Sequence, residues 1–212
     1  KGIIMLKNNS KEQLKSIKSM QLFSSKIVLL SNLIDLMGVF VVSAAAIIIQ
    51  LFFFDLPCPL CLLQRIGLMA IAYGYVLNIL YGNKSNHYAY STIAAILTSF
   101  IALRQILIHI VPGSGYYGDP VFGIHMYTWV FIICMVAIAW NMLIIIIYPE
   151  DYRHQKLIKN IRIGRNPLVK LIVFAYIFVI ALNFALTFLE CGTTQCPDDP
   201  NQYMILNNYI SK

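Results

Sequence analysis

Apolar residues are gathered into five long stretches of the chain, separated by short polar segments. Each stretch is close to the length of about 20 apolar residues that a helix needs to cross the hydrocarbon core of a bilayer. Backbone amides within lipid must find their partners inside the same element, so these stretches are expected to be helices. The pattern predicts an all-α integral membrane protein with transmembrane helices over 27–54, 62–81, 91–111, 121–148 and 171–189.

Composition agrees with a bilayer as the main solvent. Hydrophobic residues make up 59% of the 212 residues and charged residues 12%, against roughly 25% charged residues in ordinary soluble domains. For stretch 27–54 the alternative is a cleaved signal peptide, because a lysine-rich leader precedes it and small residues occupy 43–46. The apolar region of a signal peptide is about 7–15 residues long. Since this stretch continues to Phe54, we interpret it as a transmembrane helix.

Basic residues are concentrated in segments 1–26 and 149–170. Loops rich in lysine and arginine stay on the cytoplasmic side of a membrane, so both segments, with the N-terminus, are predicted to be cytoplasmic. The net charge of +7 then follows from membrane orientation and requires no nucleic-acid partner. Segments expected on the opposite side carry acidic residues instead: Asp55, Asp119, Glu190, Asp198 and Asp199.

This topology places both cysteine pairs on one side of the membrane. An odd number of crossings separates the N-terminus from Cys58 and Cys61, and likewise from Cys191 and Cys196. We therefore predict a multi-pass protein of the bacterial inner membrane with both pairs in the periplasm, where disulfides form and persist. Its predicted segments are a cytoplasmic 1–26, a four-helix core 27–148, a cytoplasmic loop 149–170, a fifth transmembrane helix 171–190 and a periplasmic tail 191–212.

The spacing of Cys58 and Cys61 allows a small redox-active disulfide at the predicted start of helix two. A helix start stabilises a thiolate, but the CxxC spacing alone also fits a structural disulfide or half of a zinc site. Arg65 follows Cys61 by four residues and shares its helix face. An arginine within an apolar span usually marks a functional site, where it would stabilise a thiolate or bind a quinone carbonyl. The alternative is that Arg65 extends to the outer headgroups.

Cys191 and Cys196 lie in a polar segment with turn-forming Gly192 and Pro197. A disulfide is plausible there, either redox-active or as a static link that orders the tail. A metal site is not expected, because other ligands are lacking nearby. Cys134 lies among apolar residues in the middle of helix four and is interpreted as core packing.

Helix three offers further polar groups near the same end. Arg104 and Gln105 lie within its span and His109 lies near its outer end. A titratable His109 could relay a proton during quinone reduction, and the alternative is a histidine satisfied at the interface or in the core. Asp35, in helix one nearer the cytoplasm, is left open between an arginine partner and a proton acceptor.

Cys58-Pro-Leu-Cys61-Leu-Leu-Gln-Arg65 resembles the signature of the bacterial disulfide bond formation protein B (DsbB) family. The segments from Arg104 to His109 and from Gly123 to Trp129 are similar to family features too. The resemblance implies a four-helix transmembrane bundle, here with one extra transmembrane helix. It also implies a protein-disulfide oxidoreductase that reoxidises a periplasmic thioredoxin-like (DsbA-like) dithiol oxidase and passes the electrons to ubiquinone or menaquinone.

The resemblance assigns roles to particular residues. Cys58 and Cys61 match the quinone-proximal pair, Arg65 matches the quinone-contacting arginine, and His109 matches a quinone-site histidine more loosely. One feature departs from the family, whose second cysteine pair lies between helices three and four, where residues 112–125 contain none.

Cys191 and Cys196, after the extra helix, are the remaining candidates for the partner-facing pair. We therefore expect a divergent branch in which electrons pass from Cys191 and Cys196 to Cys58 and Cys61. Two alternatives stay open: a non-enzymatic membrane protein with static disulfides, and a membrane thiol reductase related to vitamin K epoxide reductase.

Overall fold

The computed structural model describes most of the chain. Described are residues 2–52, 56–111, 113, 118, 120–147, 167–193, 196 and 203–205, with the backbone alone for 2–25 and 168. Outside these residues lie positions 149–166 of the predicted basic loop 149–170, most of the tail, and the acidic residues Asp55, Asp119, Asp198 and Asp199.

Five helices form the described structure: α1 Gly2–Phe52, α2 Pro59–Tyr81, α3 Ser85–His109, α4 Met126–Ile147 and α5 Pro167–Cys191. All five contain a segment long and apolar enough to cross a membrane, which in α1 runs from Lys26 to Phe52. The predicted all-α membrane fold is thus confirmed. α1 is longer than predicted, because the helix continues without a break through the polar N-terminal segment.

The helix boundaries follow local chemistry. α2 begins at Pro59, three residues before the apolar stretch, because proline suits the first helical position, where no amide donor is needed. α4 begins only at Met126, after a turn in which Val121 and Ile124 pair and Gly123 has a φ of 76°. A positive φ is accessible to glycine at little cost, so this glycine favours the turn over a longer helix.

The core lies among the first four helices. α2 packs along α3, α3 along α4 and α1 along α2, and fully buried Ile71, Ala95, Ala102 and Cys134 lie in their shared core. α5 packs against α1 and α2 more sparsely, and the Tyr176 hydroxyl donates to a backbone carbonyl of α2 at 2.7 Å. The broad apolar exposure of the helices agrees with a lipid surround.

Two ends of the bundle can be distinguished. α1, α3 and α5 end, and α2 and α4 begin, at the end that carries both cysteine pairs, which we call the cysteine end. At the far end, the Asn32 amide donates to the Tyr88 hydroxyl at 2.7 Å, and the Asn78 amide donates to Asn32 at 3.0 Å. His87 contacts Asn78 at 2.9 Å. These buried polar groups satisfy one another, as a low-dielectric interior requires, and link α1, α2 and α3.

Candidate thiol–disulfide site

Cys58 and Cys61 form a disulfide at the start of α2, with their Cα atoms 5.0 Å apart. Cys58 is the N-cap of the helix: its backbone is extended, its carbonyl accepts from the Leu62 amide at 3.0 Å, and its sulfur accepts from the Cys61 amide at 3.2 Å. Cys61 therefore lies in the first turn, among amides that a helix leaves without internal partners. A negative charge on either sulfur would be favoured by these amides.

Gln105 of α3 contacts both sulfurs of this disulfide. Its side-chain amide donates toward Cys58 Sγ at 3.3 Å and toward Cys61 Sγ at 3.4 Å. Its carbonyl accepts from the Gln64 amide at 2.7 Å, which fixes the direction in which the Gln105 amide points. Gln105 is fully buried, so its donors have few alternatives to the sulfurs.

A pocket opens beside the disulfide at the cysteine end. It holds about 660 Å³ of space between atoms, part of it open to the outside. Apolar side chains make up most of its lining, as in small-molecule sites generally. The polar groups on its wall are Cys61, Gln64, Arg65 and Tyr127, and its apolar lining includes Val42, Ala46, Ile49, Leu68, Met126 and Val130.

Arg65 lines this pocket and is held from α1. Its guanidinium donates to Gln50 Oε1 at 2.6 Å and to the Ala46 carbonyl at 3.1 Å. Both acceptors lie near the end of α1, which therefore fixes the arginine beside Cys61. Arg65 is half-buried, and both of these acceptors belong to α1.

The second pair, Cys191 and Cys196, is also a disulfide, with Cα atoms 4.6 Å apart. Cys191 is the last residue of α5 and is buried, whereas Cys196 is half-buried. The sequence interpretation placed both cysteines in the tail, but α5 continues to Cys191, and Gly192 with a φ of 65° ends it. The helix therefore ends one residue later than predicted and fixes Cys191 to the bundle.

Glu190 and Gln50 connect α5 to the pocket wall. Both side chains are fully buried, and the Gln50 amide donates to Glu190 Oε2 at 3.3 Å. The side-chain oxygen of Gln50, Oε1, accepts from the Arg65 guanidinium. A hydrogen-bonded chain therefore runs from Glu190, the residue before Cys191, through Gln50 to Arg65, four residues after Cys61.

His109 is not part of the pocket lining, but it contacts Tyr127, which is. Its ring stacks on Tyr127, with centroids 5.4 Å apart, and Tyr127 stacks in turn on His125 at 5.4 Å. His109 Nδ1 contacts the Gln105 carbonyl at 2.8 Å. Because a carbonyl oxygen only accepts, Nδ1 carries a proton in this contact, and in the neutral ring Nε2 is the nitrogen able to accept another.

Other candidates lie apart from this site. Arg104 is exposed on α3. Asp35 accepts from Trp140 at 3.1 Å and from Ser31 at 3.3 Å, in the part of α1 that the sequence places nearer the cytoplasm. Cys134 is buried and not disulfide-bonded, in agreement with its interpretation as core packing.

Sequence reasoning gave little weight to the glutamines of the site. Gln105 was noted only as a polar group within helix three, and Gln50 and Gln64 received no role. Glu190 was counted only among the acidic residues of the segments on the opposite side, whereas the structure places it buried in α5. A polar residue within a predicted transmembrane span is unusual enough to have been a signal. Their partners could not be read from the sequence, since Gln50 and Glu190 are 140 positions apart.

Five membrane-crossing helices and a disulfide at a helix start beside an apolar pocket define the class: a multi-pass membrane protein with a thiol–disulfide site. Residues 30–117 match the model of the family described as disulfide bond formation protein DsbB, and this match supports membership of the chain in the DsbB family. No curated protein and no solved structure matches the chain.

The matched segment contains most of the membrane part of α1, all of α2 and α3, and the Cys58–Cys61 disulfide. α4, α5 and the second disulfide lie beyond it. Disulfide oxidoreductase activity is the general chemistry of the family whose model this segment matches.

Proposed function

We propose that the chain is a membrane thiol:quinone oxidoreductase that reoxidises a periplasmic thioredoxin-like dithiol oxidase. The observation behind this proposal is that Cys61 and Arg65, one helical turn apart, line the same apolar pocket at the cysteine end. The predicted orientation, with the N-terminus cytoplasmic and the cysteine end periplasmic, belongs to the proposal and rests on the lysine and arginine distribution.

The pocket fits a quinone in its chemistry. Apolar side chains suit a hydrocarbon ring and tail, and a quinone carbonyl only accepts hydrogen bonds, so it needs a donor such as the Arg65 guanidinium. Arg65, Gln64 and Tyr127 would hold the quinone, whether ubiquinone or menaquinone. When bound, it would supply the acceptor for two electrons, and the protein would supply its position.

The protein's own steps are two thiol–disulfide exchanges. A thiolate of the partner attacks Cys196, the more exposed residue of its pair, and Cys191 leaves as a thiolate. The second partner thiolate then attacks the mixed disulfide, so the partner is oxidised and Cys196 is released as a thiolate. The pair then reduces the Cys58–Cys61 disulfide through an intrachain mixed disulfide, because exchange requires a thiolate in contact with a disulfide sulfur.

The reduced Cys61 is well placed to be the electron donor. It lines the pocket, whereas Cys58 is buried behind it, 6% exposed. The helix start and the Gln105 amide stabilise a thiolate at this position. His109, through Nε2 and its stacking on Tyr127, is the proposed proton carrier.

The test is quinone reduction by the full-length chain in lipid nanodiscs. A reduced thioredoxin-like protein serves as the donor and a short-chain ubiquinone as the acceptor, followed by absorbance. Cys61→Ser should abolish reduction, and Cys191→Ser should abolish it with the protein donor. Cys134→Ala, which alters the free buried cysteine, is the matched control and should retain wild-type turnover.

The outcomes separate the alternatives. If wild-type turnover does not exceed the protein-free rate, the oxidase proposal is wrong. Full turnover of Cys191→Ser with the protein donor would assign the second disulfide to a static structural role and leave the first pair as the sole redox pair. Net oxidation of a reduced quinone, with dithiol formation in the partner, would favour the reductase alternative.

A further inference from the structure

Glu190 is a buried acid in the extra helix, beyond the segment that matches the family. It is 0% exposed, and an ionised carboxylate in such a place is costly unless a positive charge and hydrogen bonds compensate it. One oxygen accepts from Gln50, and the Arg65 charge acts on the carboxylate electrostatically. Within the described part of the chain, the other oxygen, Oε1, has no hydrogen-bond partner.

The chain of hydrogen bonds has a defined direction. Glu190 Oε2 accepts from the Gln50 amide nitrogen, which also lies 3.5 Å from the Tyr203 hydroxyl, so this nitrogen is turned away from Arg65. This leaves the Gln50 carbonyl facing the guanidinium of Arg65, which only donates. A flipped Gln50 would place donor against donor at Arg65 and would turn its carbonyl toward the Glu190 oxygen, so Glu190 and Arg65 together favour the orientation found.

We infer that Glu190, acting through Gln50, is the positioning residue that holds the Arg65 guanidinium at the pocket wall. The extra helix then has a function in the first redox site as well as carrying Cys191. This inference rests on the proposed quinone site for its functional consequence, while the positioning of Arg65 is a property of the protein that can be measured without a quinone.

Two measurements test the inference on the full-length chain. The first is the rate at which a dicarbonyl reagent modifies Arg65, followed by peptide mass spectrometry. The second is equilibrium dialysis of a short-chain ubiquinone against the oxidised protein. Glu190→Met removes the acceptor at similar length. Glu190→Gln replaces the carboxyl with an uncharged amide that both donates and accepts. Gln50→Met interrupts the chain in the middle. Thr187→Val, one turn earlier on α5, is the matched control.

Glu190→Met and Gln50→Met are expected to speed the modification of Arg65 several-fold. They should weaken quinone binding by about tenfold, the order of a lost hydrogen bond to a charged group. Glu190→Gln should fall between these variants and the wild type, because its amide permits both orientations of Gln50. Thr187→Val should match the wild type in both measurements.

A double-mutant cycle with Arg65→Lys decides whether Glu190 acts through Arg65. Residues in one hydrogen-bond network give non-additive effects, so the loss caused by Glu190→Met should largely disappear in the Arg65→Lys background. An equal loss in both backgrounds, or unchanged Arg65 modification in both Glu190→Met and Gln50→Met, would overturn the inference. If the wild type binds no quinone while the modification rates change as expected, the proposed function fails and the positioning of Arg65 stands.

Discussion

Gln105 is predicted to control the redox potential of the Cys58–Cys61 pair. Its amide lies 3.3 and 3.4 Å from the two sulfurs. A hydrogen bond to a thiolate is stronger than one to a neutral disulfide sulfur, so Gln105 stabilises the reduced state more than the oxidised state. Gln105→Leu removes this preference and should make the pair harder to reduce.

The size of the effect follows from the energy of the bond. Hydrogen bonds to charged groups stabilise a protein by about 1.5–3 kcal/mol. Part of this stabilisation is already present in the oxidised state, so we take the extra stabilisation of the reduced state over the oxidised state as about 1–2 kcal/mol. For a two-electron couple, about 1.4 kcal/mol corresponds to roughly 30 mV. Gln105→Leu should therefore lower the potential by about 20–45 mV.

The assay is equilibration of the purified chain in thiol–disulfide buffers, followed by alkylation and peptide mass spectrometry, which reports the two pairs separately. Ser99→Ala is the control, because Ser99 is a buried polar residue of the same helix that bonds only the Ile96 carbonyl among the described contacts. A Gln105→Leu potential within about 10 mV of the wild type, under 0.5 kcal/mol, would refute the reasoning.

Three further predictions concern the pocket and the bundle. Arg65→Gln should weaken binding of a short-chain quinone by at least about tenfold, since a charged donor is lost. Unchanged binding in equilibrium dialysis would show that Arg65 does not bind the quinone. Gly74→Ala should lower the free energy of unfolding by about 1–3 kcal/mol through overpacking, because the new Cβ would collide with α3. Gly38→Ala is the control and should not lower it, because the space around Gly38 is open. Equal thermal stability of the two variants would contradict this prediction. Asn78→Leu should lower the free energy of unfolding by about 1–3 kcal/mol, because it removes the hydrogen-bond partner of Asn32 and His87. Thermal unfolding in detergent measures this loss. A variant as stable as the wild type would show that these buried hydrogen bonds make no net contribution to stability.

Much of the fold could be predicted because a bilayer constrains sequence strongly. Each crossing requires a long apolar stretch with its own backbone hydrogen bonds, so the five helices were visible as five stretches. Their ends were less predictable, since Cys58 and Pro59 start α2 before the apolar stretch and Gly123 delays α4. The helical continuation of α1 through a polar segment had no signal in hydrophobicity.

The candidate site was predicted in part for the same reason. Cys58, Cys61 and Arg65 are close in sequence, and helix periodicity alone brings Arg65 to the face of Cys61. His109 was found at the correct end of the bundle, although it reaches the pocket only through Tyr127. The roles of all these residues stay predictions until quinone reduction is measured.

The sequence by itself determined that the protein lies in a bilayer, the number of predicted transmembrane helices and the end at which both cysteine pairs lie, because these depend on patterns local to each stretch. Only the tertiary structure decided that Gln105 faces both sulfurs, that Gln50 holds Arg65, and that Glu190 of α5 completes this chain. Such contacts join positions far apart in the sequence, and they depend on which faces of the helices pack together. Those faces are chosen by the whole bundle at once, so no single segment of the chain contains the information.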